Sequence, residues 1–211
     1  MAAGSRAERS EAKRHRVLQA GQELFLEHGF ERCTMEAISA AARVSKPTLY
    51  RYYPDKQALF VGVLEHLATD HLGEDKLTAL QDVAIESADD LERVLTSWAE
   101  ATLARTMQPT YLGLIRLLIA EMPRIPELGR LFQAAVPQQG AAYLIRILGN
   151  AQRRGVVVVD DMDAALRLLV APLLMEEMAA LFSPAPPAPP SPERLTALIH
   201  LAVRALTRPA D

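Results

Sequence analysis

Four side chains in one short stretch have the chemistry to read a nucleic acid. From Ser45 the sequence runs S-K-P-T-L-Y-R-Y. At 100° per residue, a helix beginning at Lys46 gathers Lys46, Tyr50, Pro47 and Arg51 into an arc of about 140°. The arc presents an ammonium, a phenol, a compact apolar ring and a guanidinium. Lysine and arginine bond guanine edges in a major groove, and apolar groups meet the thymine methyl. Leu49 lies beside the arc and, with Tyr53, gives the helix something to bury. Upstream, Ile38, Ala41 and Ala42 form a small-residue side that lets a second helix approach closely. Two short helices joined by Arg43-Val44-Ser45 make a helix-turn-helix pattern over about residues 34–53. Thr34 and Ser45 are the expected N-caps, their hydroxyls accepting the first free N–H groups. Thr34 and Lys56 also stand at helix N-termini, where the dipole favours a phosphate. Arg6, Arg9, Lys13, Arg14 and Arg16 read as a basic N-terminal arm. Tight helical turns with solvated basic faces also occur in proteins that bind no DNA, so geometry and charge alone leave both readings open.

Other chemistries are poorly provided for. There is no glycine-rich phosphate loop, no nucleophile elbow and no histidine–carboxylate pairing beyond chance, so no catalytic residue is expected and the chain is not read as an enzyme. His66, Asp70 and His71 are close in sequence, but His71 points about 100° from the other two and no second cluster completes four ligands. No metal site and no cofactor are expected. Cys33 is the only cysteine, which excludes an internal disulfide and fits a reducing compartment. It reads as a small structural thiol, with a redox role as the alternative. The charged N-terminus lacks an apolar core, so it does not read as a signal peptide. No run approaches the roughly 20 apolar residues that span a bilayer. A cytoplasmic location and no membrane partner are expected.

The net charge of −3 conceals a division. Residues 1–60 hold ten Lys/Arg against seven Asp/Glu, and residues 61–211 hold thirteen against nineteen. The basic part would be drawn to phosphates while the acidic part stays in solvent.

The elements that must position these groups read as helical almost end to end. Val17, Leu18, Gly21, Leu24, Phe25 and His28 recur at helical spacing from Glu11 to His28, and Gly29 stands where a C′ residue belongs. Met35–Ala42 and Lys46–Tyr52 follow, then a helix with Leu59, Phe60, Val63, Leu64 and Leu67 on one face. Beyond these lie Asp89–Thr106, Pro109–Met122, Glu127–Ala135, Gln138–Arg154, Asp163–Phe182 and Pro192–Leu206. Pro109, Pro123, Pro126 and Pro137 separate them, and Pro172 predicts a kink. Val156–Val159 reads as an extended connector, and the six prolines of Ser183–Pro192 as a semi-rigid spacer. The fold class is therefore all-α: an N-terminal three-helix helix-turn-helix domain, residues 11–71, and a helical bundle, residues 72–211.

The segment V-S-K-P-T-L-Y-R-Y-Y-P-D-K-Q-A-L-F closely resembles the recognition-helix signature of the TetR family of bacterial transcriptional regulators. The resemblance extends from about Glu11 to His71 and includes G-F-E-R-C-T-M-E-A-I. It implies a homodimer on a palindromic double-stranded DNA operator, usually a repressor released by a small molecule. By motif position, Lys46, Pro47 and Tyr50 face bases or nearby phosphates. Thr34, Ser45, Thr48, Arg51 and Lys56 position the DNA backbone. Two departures stand out: Arg43 occupies a turn position where many members have glycine, and Tyr53 replaces the usual phenylalanine, so its hydroxyl needs a partner. Farther on, L-I-R-L-L-I-A-E-M-P-R-I-P-E-L from Leu114 to Leu128, with R-R-G-V-V-V-V-D-D-M-D-A-A, looks like the AefR-like C-terminal subgroup.

Two expectations concern the second domain. Ala165, Leu169, Leu173 and Leu181, with Leu195, Leu198, Ala202 and Leu206, give the last two helices more apolar surface than one buried face requires, which suits a dimer interface or an internal pocket. Trp98, Met107, Tyr111, Leu118, Met122, Phe132, Met175 and Met178 are the candidate lining for a mostly apolar effector. Each of them singly suits plain core equally. Glu121, Arg124 and Arg116 read as ion pairs holding helix ends in preference to ligand contacts. The rival functions are a protein-interaction or dimerisation module whose helix-turn-helix no longer binds DNA and, last, an enzyme.

Overall fold

In the computed structural model residues 2–69, 85–183 and 185–207 are described, and among these there are nine α-helices and no strand. They are α1 (Ala2–Arg32), α2 (Met35–Ala41), α3 (Lys46–Tyr52), α4 (Lys56–Thr69), α5 (Ala88–Thr106), α6 (Pro109–Glu121), α7 (Pro126–Arg153), α8 (Met162–Phe182) and α9 (Pro192–Leu206). Asp70 and His71 lie outside the described residues.

Two boundaries differ from the sequence expectation. α1 starts at Ala2, so the basic residues read as an arm are helical. Ala, Glu, Lys and Arg there are strong helix formers with no apolar periodicity, so propensity sets this end. α1 is interrupted at Gly29, whose φ of 78° explains the glycine. The separate helices expected on either side of Pro137 are one helix, α7. α8 likewise continues through Pro172.

The described residues fall into two compact units, Met1–Leu67 with Gly113–Pro137 and Ala68–Leu112 with Gln138–Asp211. In the first, Phe25, Phe30 and Phe60 are fully buried and meet ring to ring, with centroids 4.9 to 5.8 Å apart. This aromatic knot takes one side chain from α4 and two from α1, and Ile38 and Leu49 bring α2 and α3 into the same interior. Tyr53 packs where α4 has Gly62: a Cβ at Gly62 would stand 2.5 Å from the ring. The tyrosine hydroxyl is buried without a hydrogen-bond partner among the described residues. Burial pushes its pKa up, and the Arg14 guanidinium opposes that. Arg124 pairs with Glu31 at 3.4 Å and with Glu121 at 3.8 Å.

The second unit has one hydrophobic core that includes Leu95, Trp98, Leu103, Leu144, Leu148, Leu169, Leu173, Ile199 and Val203. The Val156–Val159 segment is a connector, tied by the Val158 N–H to the Leu206 carbonyl at 3.1 Å. α9 starts with Pro192 behind a Ser191 cap and buries Leu195, Ile199, Ala202, Val203 and Leu206 on one side. α8 is apolar on two sides. Ala165, Leu169 and Leu173 are buried in its own chain, while Leu168, Leu174, Met175, Met178 and Phe182 form an exposed stripe about 120° wide. Surplus surface therefore exists on these residues and on Leu201 of α9; of the residues that periodicity picked out, Ala165, Leu169, Leu173, Leu195, Ala202 and Leu206 are buried and Leu181 and Leu198 are half-buried.

The Tyr53–Gly62 contact makes a comparative test. Gly62→Ala should destabilise by about 1–2 kcal/mol in urea unfolding, because overpacking against a buried ring outweighs the roughly 1 kcal/mol that alanine gains in a helix. Gly21→Ala, whose Cβ meets Val63 Cγ2 at 3.2 Å, should stay near neutral. Equal effects would mean that the ring yields freely.

Candidate nucleic-acid interface

Local chemistry fixes both helices of the motif. Thr34 Oγ1 accepts the Ala37 N–H at 3.1 Å, as a cap should. At the other end of α2, the Arg43 N–H bonds Ala40 O at 3.1 Å and the Val44 N–H bonds Ser39 O at 3.0 Å. These paired bonds close a helix with one left-handed residue at C′. That residue is Arg43, at φ 52°. A non-glycine residue there costs on the order of 1–2 kcal/mol, so the departure noted in the sequence carries real strain. α3 then begins on Ser45, whose Oγ accepts the Thr48 N–H at 3.3 Å and lies 2.8 Å from Thr48 Oγ1. Pro47 sits in its first turn, where no N–H is missed.

α3 divides as the sequence arc requires. Leu49 is fully buried, while Lys46, Pro47, Tyr50 and Arg51 are exposed. Thr48 is half-buried, and Thr34 and Ser45 are exposed. Lys46 Nζ donates to Glu36 Oε1 at 3.0 Å across the two helices. That bond holds the Glu36 carboxyl below its usual pKa. The Arg51 guanidinium lies 5.3 Å from the Tyr52 ring centroid.

Lys56 is placed differently from the rest. Its ammonium donates to the carbonyls of Phe30, Glu31 and Cys33 at 2.8, 3.1 and 3.0 Å, and it stands 4.5 Å over the Phe30 ring. All three protons are therefore spent on the link between α1 and α2. Cys33 is buried beside it; burial pushes its thiol pKa up and the ammonium opposes that, so the thiolate is scarce at neutral pH.

Further positioning groups escaped the sequence reading. The Tyr52 hydroxyl donates to Ser10 O at 3.0 Å and lies 2.9 Å from Ser10 Oγ, fastening the end of α3 to α1. Arg16 Nε donates to Ala42 O at 3.2 Å, holding the end of α2. Tyr52 lies inside the quoted motif and Arg16 in the basic run, yet neither pairing has a spacing signal. Both span long separations.

The candidate effector residues are divided between the two units. Trp98, Met107 and Tyr111 are buried in the second unit. Leu118, buried, and Met122 and Phe132, half-buried, belong to the first. Met175 is 68% exposed, on the outer stripe of α8 with Met178. None of the eight lines the open groove of about 730 Å³ between α5 and α9, which is bordered by Glu92, Thr196, His200 and Leu201.

Comparison with known proteins agrees with this layout. The family model of bacterial regulatory proteins of the tetR family matches residues 17–63, and that of the AefR-like transcriptional repressor C-terminal domain matches residues 93–208. A similar curated protein is the uncharacterized HTH-type transcriptional regulator YdeS of Bacillus subtilis, 36% identical over 42% of this chain and 45% of its own. The chain thus spans about half the length of such curated relatives. Solved structures align more fully. A putative TetR-family regulator from Mesorhizobium loti is 26% identical with a TM-score of 0.68, covering 93% of this chain and 96% of that one. The flavonoid-responsive regulator FrrA is 28% identical with a TM-score of 0.60, covering 92% and 94%.

The two occupations of Lys56 can be separated. Lys56→Met should lower folding stability by about 1–3 kcal/mol in urea unfolding, since three carbonyls, two of them in part-buried bonds, lose a charged donor. A lysine that serves only to touch phosphate would leave unfolding unchanged.

Proposed function

The chain belongs to the TetR family of bacterial regulatory proteins, and from that membership we propose that it acts as a sequence-specific transcriptional repressor, released from a palindromic operator by a small apolar effector. The carrying observation is the exposed arc of Lys46, Pro47, Tyr50 and Arg51 on a capped helix whose other side is anchored by buried Leu49. In this reading α3 lies in the major groove. Thr34, Ser45 and Thr48 set the backbone register, and Lys56 acts through the α1–α2 link it secures. The N-terminus of α4 is itself capped by Asp55, whose carboxylate accepts the Ala58 N–H at 2.7 Å.

A homodimer supplies the second recognition helix, one DNA turn or a multiple away. The outer stripe of α8, with Leu201 of α9, is the surface we assign to it. It is apolar, and its side chains stand 39% to 79% exposed. Burying such a stripe against its symmetry mate is the commonest route to a closed oligomer. The effector is assigned to the second domain, with the buried Trp98, Met107 and Tyr111 as its nearest candidates.

Two measurements test this. In gel shifts with DNA from upstream of the gene, Lys46→Ala or Tyr50→Ala should cost roughly 1–3 kcal/mol at the operator and far less on random DNA. Unchanged operator affinity in both would remove α3 from the groove. In sedimentation, Met175→Glu with Phe182→Glu should turn a dimer into a monomer without loss of helicity, because both side chains are exposed in the single chain. A variant that stays dimeric would place the interface elsewhere.

A further inference from the structure

The second unit buries more ionisable chemistry than its packing explains. Arg105 on α5 is 6% exposed and Tyr111 on α6 is 5% exposed. From α8, Glu177 reaches the same region, its Oε1 2.5 Å from Thr106 Oγ1. Trp98, Leu103, Met107 and Leu173 belong to one buried hydrophobic cluster of the same unit.

Proton counting fixes the state of Glu177. Thr106 Oγ1 also lies 3.1 Å from the Thr102 carbonyl. A hydroxyl has one proton and a carbonyl can only accept. With a separate proton in each contact, Thr106 donates to Thr102 O and a Glu177 carboxylic acid donates to Thr106. Burial acts in the same direction, pushing the Glu177 pKa up. Glu177 is then neutral, and Arg105 is the charge of the cluster. Desolvation lowers the Arg105 pKa to about 10, which leaves it cationic at neutral pH.

That cation is poorly satisfied. Its Nε donates to Ala68 O at 2.8 Å, and one Nη reaches Thr102 Oγ1 only at 3.5 Å. A guanidinium has five N–H donors in a fork shaped for a carboxylate. Among the described residues, both of its acceptors are neutral oxygens. A buried charge in such surroundings strongly favours an opposite charge brought from outside.

We propose that Arg105 and Tyr111 form the polar end of the effector site and that the effector is an apolar weak acid, its carboxylate held by the Arg105 fork and the Tyr111 hydroxyl. This rests on the effector-released reading above and adds the ligand class to it. Neutral Glu177 imposes no like-charge penalty on an anion. An amine would meet the guanidinium and be repelled, and a neutral alcohol gains only ordinary hydrogen bonds.

The test uses the full chain near neutral pH with three matched probes: decanoate, decanol and decylamine. Each is read by thermal shift, by titration calorimetry and by release of the operator in a gel shift. Decanoate should bind at least about tenfold more tightly than decanol, and decylamine should not stabilise. Arg105→Gln should abolish the preference for the acid. Because Arg105 also holds Ala68 O, that variant risks misfolding, so Tyr111→Phe, which removes one oxygen, is measured beside it. It should weaken decanoate about fivefold and leave decanol unchanged. Decanol matching decanoate, decylamine binding best, or decanoate affinity surviving both substitutions would overturn the proposal while leaving an effector-released repressor intact. No binding by any of the three would also overturn it. The broader reading would then be judged by a compound screen against operator release.

Discussion

One ammonium sets the geometry of the first unit. α1 must end, reverse and hand the chain to α2 within the residues from Gly29 to Thr34, and this link leaves carbonyls without helical partners. Lys56 Nζ collects three of them, from Phe30, Glu31 and Cys33. The cation sits over the Phe30 ring and beside the aromatic knot of Phe25, Phe30 and Phe60. The first turn of α4 is thereby pinned to the end of α1, and α2 and α3 have to fit the space that remains. Ile38, Leu49 and Tyr53 fill it, and Gly62 is the cost of admitting the tyrosine ring. Loosening the ammonium would relax the carbonyls, then the knot, then the seat of α3. A helix that reads bases needs its side chains fixed to within a fraction of an ångström, so in the proposed reading this network serves the exposed arc it supports.

The second unit faces a different constraint. Its helices have abundant hydrocarbon and few ways to orient it. α9 has one buried side, whereas α8 has two apolar sides and only one of them packs within the chain. Nonpolar packing alone would leave the helices free to slide, because leucine surfaces are interchangeable. The buried polar groups remove that freedom. Thr106 joins α5 to α8 through Glu177, and Arg105 Nε holds Ala68 O. Each such bond adds little net stability but makes alternative registers expensive, since a slipped arrangement would strand a buried charge or carboxyl.

Much of this was legible in the sequence, and the failures share a cause. The all-α class, the boundaries of α2 and α3, the Thr34 and Ser45 caps and the outward arc all follow from local rules: periodicity, capping chemistry and residue type. The left-handed Arg43 was legible as well, because the turn needs a conformation that only glycine adopts without strain. Misplaced were features decided over distance. Lys56 looked like a phosphate ligand because its position at a helix start was visible and its three carbonyl partners were not. The surplus face of α8 was recognised in quantity but assigned to Ala165, Leu169 and Leu173, since heptad-like spacing cannot say which of two apolar sides meets its own chain. Pro137 read as a break because proline costs a hydrogen bond locally, whereas α7 runs through it. Tyr52 with Ser10, Arg16 with Ala42 and Glu177 with Thr106 each join residues far apart in the chain.

The bond between Lys46 and Glu36 shows how a site can be legible and still incomplete. A basic arc alone favours any DNA, because phosphate attraction carries no sequence information. Both partners are more than half exposed, so their pairing is worth at most about 1 kcal/mol. That is small against folding but not against discrimination, where a single mismatched base pair costs only about 1–3 kcal/mol. In the proposed complex, a Lys46 that turns fully to the DNA leaves behind a carboxylate that is already ionised. A guanine edge that takes two hydrogen bonds from the ammonium repays that exchange, whereas a lone phosphate, met with Glu36 unpaired beside it, repays it poorly. In that reading the acidic residue in α2 subtracts most from complexes in which Lys46 has nothing better to bond.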